Sequence, residues 1–127
     1  MKKKLAYINL LSKDNKKLID FYKDIVGLEP FNKSEKGNWY GFNTGEVSFA
    51  IEPMSNRDKY SFTGYNENNP YLIQFKVDSM EELEEWTKDL ENKGVNVEQK
   101  VLEKSYGTVT TFLDPDGNLV EILLKDK

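Results

Sequence analysis

The chain has 127 residues, of which 38% are apolar and 31% charged, and a formal net charge of −4. These figures suit one globular domain large enough to bury a core, and no apolar run is long enough to span a bilayer. Cysteine and histidine are both absent, which excludes disulfides, a thiolate nucleophile, Cys- or His-ligated metals and the commonest general base. The negative balance argues against a nucleic-acid partner and favours a neutral or cationic ligand. Met1-Lys2-Lys3-Lys4 has the charge of a secretory n-region, but Asn9, Lys13 and Asp14 interrupt the apolar segment after it. The expectation is therefore a cytoplasmic protein with no membrane partner.

Leu5 to Leu11 reads as a first strand, with Ala6, Ile8 and Leu10 on one face and Tyr7 and Asn9 on the other. Asp14 offers an N-cap for a helix over Asn15 to Val26, whose apolar face takes in Leu18, Ile19, Phe21, Tyr22, Ile25 and Val26. Strands are predicted near Glu29 to Lys33, Asn38 to Phe42 and Val47 to Glu52, as an antiparallel meander. Residues 54–70 are polar and without pattern, a connector that is either functional or mobile. Tyr71 to Val77 is the next strand. Ser79 and Glu82 form a capping-box pair opening a helix over Met80 to Lys93, with Met80, Leu83, Trp86 and Leu90 toward the core. Val95 to Leu102, Thr108 to Leu113 and Leu119 to Lys125 supply three more strands.

The second half thus repeats the first. Shifting the sequence by 65 residues sets Tyr7 on Leu72, Ile8 on Ile73, Asn9 on Gln74, Leu18 on Leu83 and Phe21 on Trp86. The expected class is α+β. Two βαβββ modules, about residues 4–53 and 71–126 of a single domain 1–127, form a curved mixed sheet around a central cup, with helices on the outer face.

The last hairpin carries the sharpest motif. Asp114-Pro115-Asp116-Gly117-Asn118 is a turn: Pro115 presets its first corner and Gly117 tolerates positive φ. Glu121 then interrupts the apolar strand Leu119-Val120-Glu121-Ile122 with a group that is costly to bury without partners. This motif, together with Phe21-Tyr22-Lys23-Asp24-Ile25-Val26-Gly27-Leu28 and the paired modules, resembles the vicinal oxygen chelate superfamily of glyoxalases, dioxygenases and bleomycin and fosfomycin resistance proteins. In its metal-dependent members the resemblance implies a divalent ion held by the first and last strands of each module. Carried onto this chain, those positions are Tyr7, Leu72 and Glu121, with Phe49 as the fourth, or Glu52 if a bulge shifts the register. Leu and Phe offer no donor, so the metal site is expected to be lost, and no cofactor is expected.

What remains is a pocket whose predicted ligand-binding residues are Tyr7, Asn9, Trp39, Phe49, Leu72, Gln74 and Glu121. Glu121 is either a carboxylate satisfied by Tyr7, Asn9 or Gln74, or a ligand anchor, with general base as its catalytic alternative. Trp39, with Tyr60, Phe62 and Tyr65 of the connector, can stack on a planar ligand. The functional expectation is metal-free binding or sequestration of a small molecule, a cationic or aromatic drug or metabolite, resembling the bleomycin resistance branch. The alternatives are a glyoxalase-type isomerase or lyase using Glu121, and a dimeric interaction module with a closed cup. The resemblance also implies a homodimer.

Overall fold

The computed structural model describes residues 3–36, 38–57 and 70–125, and there the alternating patterns become one open, curved, eight-stranded sheet. The first module supplies β1 (Lys4–Ser12), β2 (Glu29–Lys33), β3 (Tyr40–Asn43) and β4 (Ser48–Pro53). The second supplies β5 (Tyr71–Val77), β6 (Val97–Lys104), β7 (Gly107–Leu113) and β8 (Leu119–Lys125). Helices α1 (Asn15–Asp20) and α2 (Met80–Asn92) follow the first strand of each. The sheet order is β2-β3-β4-β1-β5-β8-β7-β6. β1 runs parallel to β4 and β5 parallel to β8, while β1 and β5 pair antiparallel where the modules meet. Of the connector, Met54–Arg57 form a short 3-10 turn, and Tyr60, Phe62 and Tyr65 lie outside the described residues. Among the described residues no helix is long and apolar enough to cross a membrane.

Strand parity sends one set of side chains to the helices, where each module builds its own core. In the first, Ile19, Phe42 and Ile51 are buried, with Leu10, Leu18, Tyr22 and Phe49 packed against them. In the second, Val77, Leu83, Trp86 and Ile122 are buried under Phe75, Leu90 and Phe112. Ser79 caps α2 as expected, its Oγ accepting the Glu82 N–H at 3.1 Å, and Asp14 caps α1 by accepting from Lys17 N–H at 3.2 Å.

Two helical expectations need correction. The predicted helix over Asn15 to Val26 is α-helical only to Asp20, and Phe21–Ile25 form a π-helical turn in which Val26 N–H reaches back five residues to the Phe21 carbonyl. Phe21, Ile25 and Val26 are exposed, Ile25 by 74%, and the wider turn carries the last two off the apolar stripe. Met80 is exposed as well, because it occupies the first turn of α2, ahead of the Leu83 and Trp86 that pack on the sheet.

The second module holds a polar thread inside its core. Leu83 O accepts from the Thr87 hydroxyl at 2.7 Å, which leaves Thr110 to donate to Thr87 Oγ1, also at 2.7 Å. Thr110 Oγ1 in turn accepts the Val101 N–H at 3.1 Å. That last bond satisfies a backbone group displaced by the irregular register between Gln99 and Leu102, where Val101 adopts a φ of 47°. A β-branched residue is strained in that region, so the bulge depends on the bond that holds it.

The β7–β8 turn is fixed by Asp114. Its Oδ1 accepts the Asp116 and Asn118 N–H groups, both at 2.9 Å, and its Oδ2 accepts from Asn118 Nδ2 at 2.8 Å. Burial pushes the Asp114 carboxyl upward, but the bonds from Asn118, Asp116 and Gly117 together outweigh it and hold the group below the ordinary carboxylate value.

Replacing Thr110 by Val is expected to lower stability by about 1–3 kcal/mol by orphaning the Val101 N–H, as urea unfolding will measure. The depressed Asp114 carboxyl stabilises the fold above its unfolded value, near 3.9. That contribution is lost as pH falls from there through the lower folded-state value. Asp114→Asn is expected to flatten this acid limb in a pH series of unfolding curves.

Candidate functional site

The opposite sheet face carries the polar residues. Tyr7 and Asn9 of β1, Gln74 of β5, Glu52 of β4 and Leu123 of β8 line a cavity of about 430 Å³. The register sets Tyr7 beside Gln74 and Gln74 beside Glu121, so the three occupy one row across the junction of the modules.

Two hairpins close the cavity, each with an aromatic side chain. In the turn between β2 and β3, Ser34 Oγ accepts the Asn38 and Trp39 N–H groups at 3.1 and 3.0 Å. This fixes Trp39, whose Nε1 donates to Asn9 Oδ1 at 2.9 Å. Its ring lies so close over Gly41 that a Cβ there would come within 2.7 Å of it, and Tyr7 meets the same ring edge-on at 5.6 Å. In the hairpin between β6 and β7, Tyr106 points inward, its hydroxyl 3.1 and 3.2 Å from the two Glu121 oxygens. Gly107 beside it lies against β8, where a Cβ would collide with the Leu124 carbonyl.

Glu121 is completely buried. It does not itself line the cavity: it sits behind Gln74 and Tyr106, accepting from Gln74 Nε2 at 2.6 Å and from Tyr106. The carboxylate therefore positions two lining residues. Glu52, 2% exposed, is the carboxylate of the cavity wall, and Lys33 and Lys125 are exposed around its mouth. Neutral amides complete the wall, among them Asn32, Asn38 and Asn56.

Of the predicted site residues, Tyr7, Asn9, Trp39 and Gln74 line the cavity. Phe49 does not: it packs on Tyr22 at 5.0 Å in the helix-side core. The turn before β4 has four residues, 44–47, whereas the turn before β8 has five, 114–118. Equal spacing from Gly45 and Gly117 therefore lands on opposite faces. By register the counterpart of Glu121 is Ala50, opposite Asn9 as Glu121 is opposite Gln74, and Glu52 follows on that same face. Leu72 shares the parity of Gln74 but is fully buried in an apolar cluster with Leu113 and Leu119. Tyr106 is the residue that sequence reasoning missed. Its one local signal is an aromatic ahead of a glycine at a hairpin tip.

Comparison with known proteins gives the same architecture. The family model for the "Glyoxalase/Bleomycin resistance protein/Dioxygenase superfamily" matches residues 4–122. The uncharacterized protein YraH of Bacillus subtilis (strain 168) is 37% identical over 128 residues, covering 94% of this chain and 96% of its own. A Legionella pneumophila chain described as an NAD-dependent benzaldehyde dehydrogenase superposes with a TM-score of 0.76 at 16% identity, covering 94% of this chain and 98% of that one. A methylmalonyl-CoA epimerase of Streptomyces coelicolor does so with a TM-score of 0.63 at 19% identity, covering 98% of both. At such identities the superpositions establish the fold alone.

A divalent metal of the kind implied by the resemblance does not fit these residues. Phe49 and Leu72 are packed away and carry no donor atom, and the Glu121 oxygens face Gln74 and Tyr106. Among the described residues no three His, Cys, Asp or Glu side chains gather within reach of one ion, and one or two carboxylates fall short of the required ligand count. Calorimetric titration with Ni²⁺, Zn²⁺ or Mn²⁺ is expected to show no stoichiometric binding. A one-to-one isotherm lost in Glu121→Gln would contradict this.

Proposed function

Because the chain belongs to the glyoxalase/bleomycin resistance protein/dioxygenase superfamily, we propose that it binds a small organic molecule in its central cavity without a metal ion, and acts by sequestering it. The observation that carries this reading is the wall itself. A cavity of about 430 Å³ has aromatic rings from Tyr7, Trp39 and Tyr106 and an amide from each module, each amide fixed by a hydrogen bond. A cavity of this size suits a drug-sized molecule, with rings for stacking and a few polar groups for orientation. It does not match a cup filled by the protein's own side chains. Lys33 and Lys125 at the mouth offset Glu52, so a planar ligand of low net charge suits the wall better than the strongly cationic one suggested by the overall charge.

An isomerase or lyase is the second reading, favoured by one feature: Tyr106 presents a hydroxyl at the cavity while bonded to the buried Glu121. A phenol backed by a carboxylate can serve as a proton donor or acceptor. Under this reading Tyr106→Phe abolishes turnover; under sequestration it only alters affinity. Pairing of two copies belongs to the same proposal and is supported by the exposed Phe21, Ile25 and Val26; a monomer by sedimentation equilibrium would remove it.

Trp39 lies in the cavity and Trp86 in the helix-side core, so a Trp86→Phe variant makes intrinsic fluorescence report on the site. Planar aromatic compounds, neutral and cationic, are expected to quench it saturably, and Asn9→Ala to weaken the binding. A panel that leaves the emission unchanged would overturn the binding function.

A further inference from the structure

The two equivalent amides of the cavity are polarised in opposite senses. Asn9 and Gln74 occupy corresponding places in the two modules, and on the sheet they are diagonal neighbours, since Tyr7 pairs with Gln74 and Asn9 with Leu72. The Asn9 carbonyl oxygen is taken by the indole N–H of Trp39 at 2.9 Å. An indole only donates, so Asn9 must present its NH₂ group on the other side. One Nδ2 hydrogen makes a long bond of 3.5 Å to the Leu72 carbonyl, and no bond among the described residues uses the other. Gln74 is the reverse: its Nε2 gives a hydrogen to the Glu121 carboxylate at 2.6 Å. With its amide nitrogen held there, Gln74 has its carbonyl oxygen, which only accepts, left for the cavity. Both residues are nearly or wholly buried, at 1% and 7% exposure, yet both line the cavity wall.

Resting on the binding function proposed above, we infer that the cavity selects planar molecules with an acceptor and a donor on adjacent atoms, the edge of a lactam or primary amide. The ligand carbonyl takes the Asn9 N–H, the ligand N–H gives to the Gln74 carbonyl, and the ring stacks beside Trp39 and Tyr7. Neither amide can turn to suit a ligand of opposite polarity without breaking its bond to Trp39 or Glu121. A ligand that lacks the donor leaves the Gln74 oxygen desolvated and unpaired, which is the costly case for a buried polar group.

The test uses the full chain and three probes of similar size: 2-quinolinone, which has the lactam edge, N-methyl-2-quinolinone, which lacks the N–H, and quinoline, which lacks both the carbonyl and the N–H. Calorimetry is expected to show 2-quinolinone binding about tenfold to a hundredfold more tightly than N-methyl-2-quinolinone, the ratio expected when one buried hydrogen bond goes unmade, and more tightly than quinoline by at least as much. Glu121→Gln, which lets the Gln74 amide turn, is expected to shrink this ratio while binding persists. Equal binding of the three probes to the unaltered chain would overturn the polarity rule and leave the binding function standing. Binding of none would overturn both. The comparison among probes on the unaltered chain decides the matter even if the Glu121 variant does not fold.

Discussion

Antiparallel pairing of β1 with β5 is the constraint on which the rest of the structure depends. Each module is a four-stranded sheet with one helix, and its helix covers only one face. Joining the modules edge to edge satisfies the open hydrogen-bonding edges of both first strands at once. It also aligns Tyr7, Gln74 and Glu121 in one row, so the cup exists only while the seam is formed. On the outer side the same seam is thinly covered. Ile8 faces Ile73 across it, and Ile8 remains 39% exposed because each helix sits over its own module.

The cup is related by approximate symmetry but is not symmetric in its chemistry. Each module sends an aromatic side chain from a hairpin toward the amide at the centre. Trp39 reaches Asn9 directly, whereas Tyr106 reaches Gln74 only through Glu121. One buried carboxylate in place of a direct contact is enough to reverse the polarity of the amide it holds. The glycines beside the two aromatics serve the same end by different contacts, Gly41 making room for the indole and Gly107 letting its hairpin lie against β8.

Much of this was legible in the residues because the signals are local. Glu29–Lys33, Tyr71–Val77 and Leu119–Lys125 are strands with the expected bounds, since alternation and the flanking turns fix them without reference to the rest of the chain. The 65-residue repeat that pairs Asn9 with Gln74 is likewise a property of the linear sequence. Phe49 and Tyr106 show where such reasoning stops. Phe49 fell on the wrong face because a one-residue difference between two turns inverts a whole strand. Tyr106 was missed because its bond to Glu121 spans two strands and depends on how β6 and β7 meet β8. The π-helical turn at Phe21–Ile25 belongs with these, since its apolar residues fit the stripe of an ideal helix and only the backbone shows otherwise.

The two cores bear on how the molecule comes apart. Ile19, Phe42 and Ile51 on one side and Val77, Leu83, Trp86 and Ile122 on the other have no buried residue in common. Proteins open in cooperative units that often coincide with such supersecondary motifs, each with its own opening free energy. The halves of this chain are therefore natural foldons, coupled mainly through the β1–β5 ladder. A molecule held between Asn9 and Gln74 has one anchor in each foldon, so neither half can open without releasing it. Occupancy of the cup would then act as a cross-link between two domains of cooperativity, converting stepwise opening into a single transition.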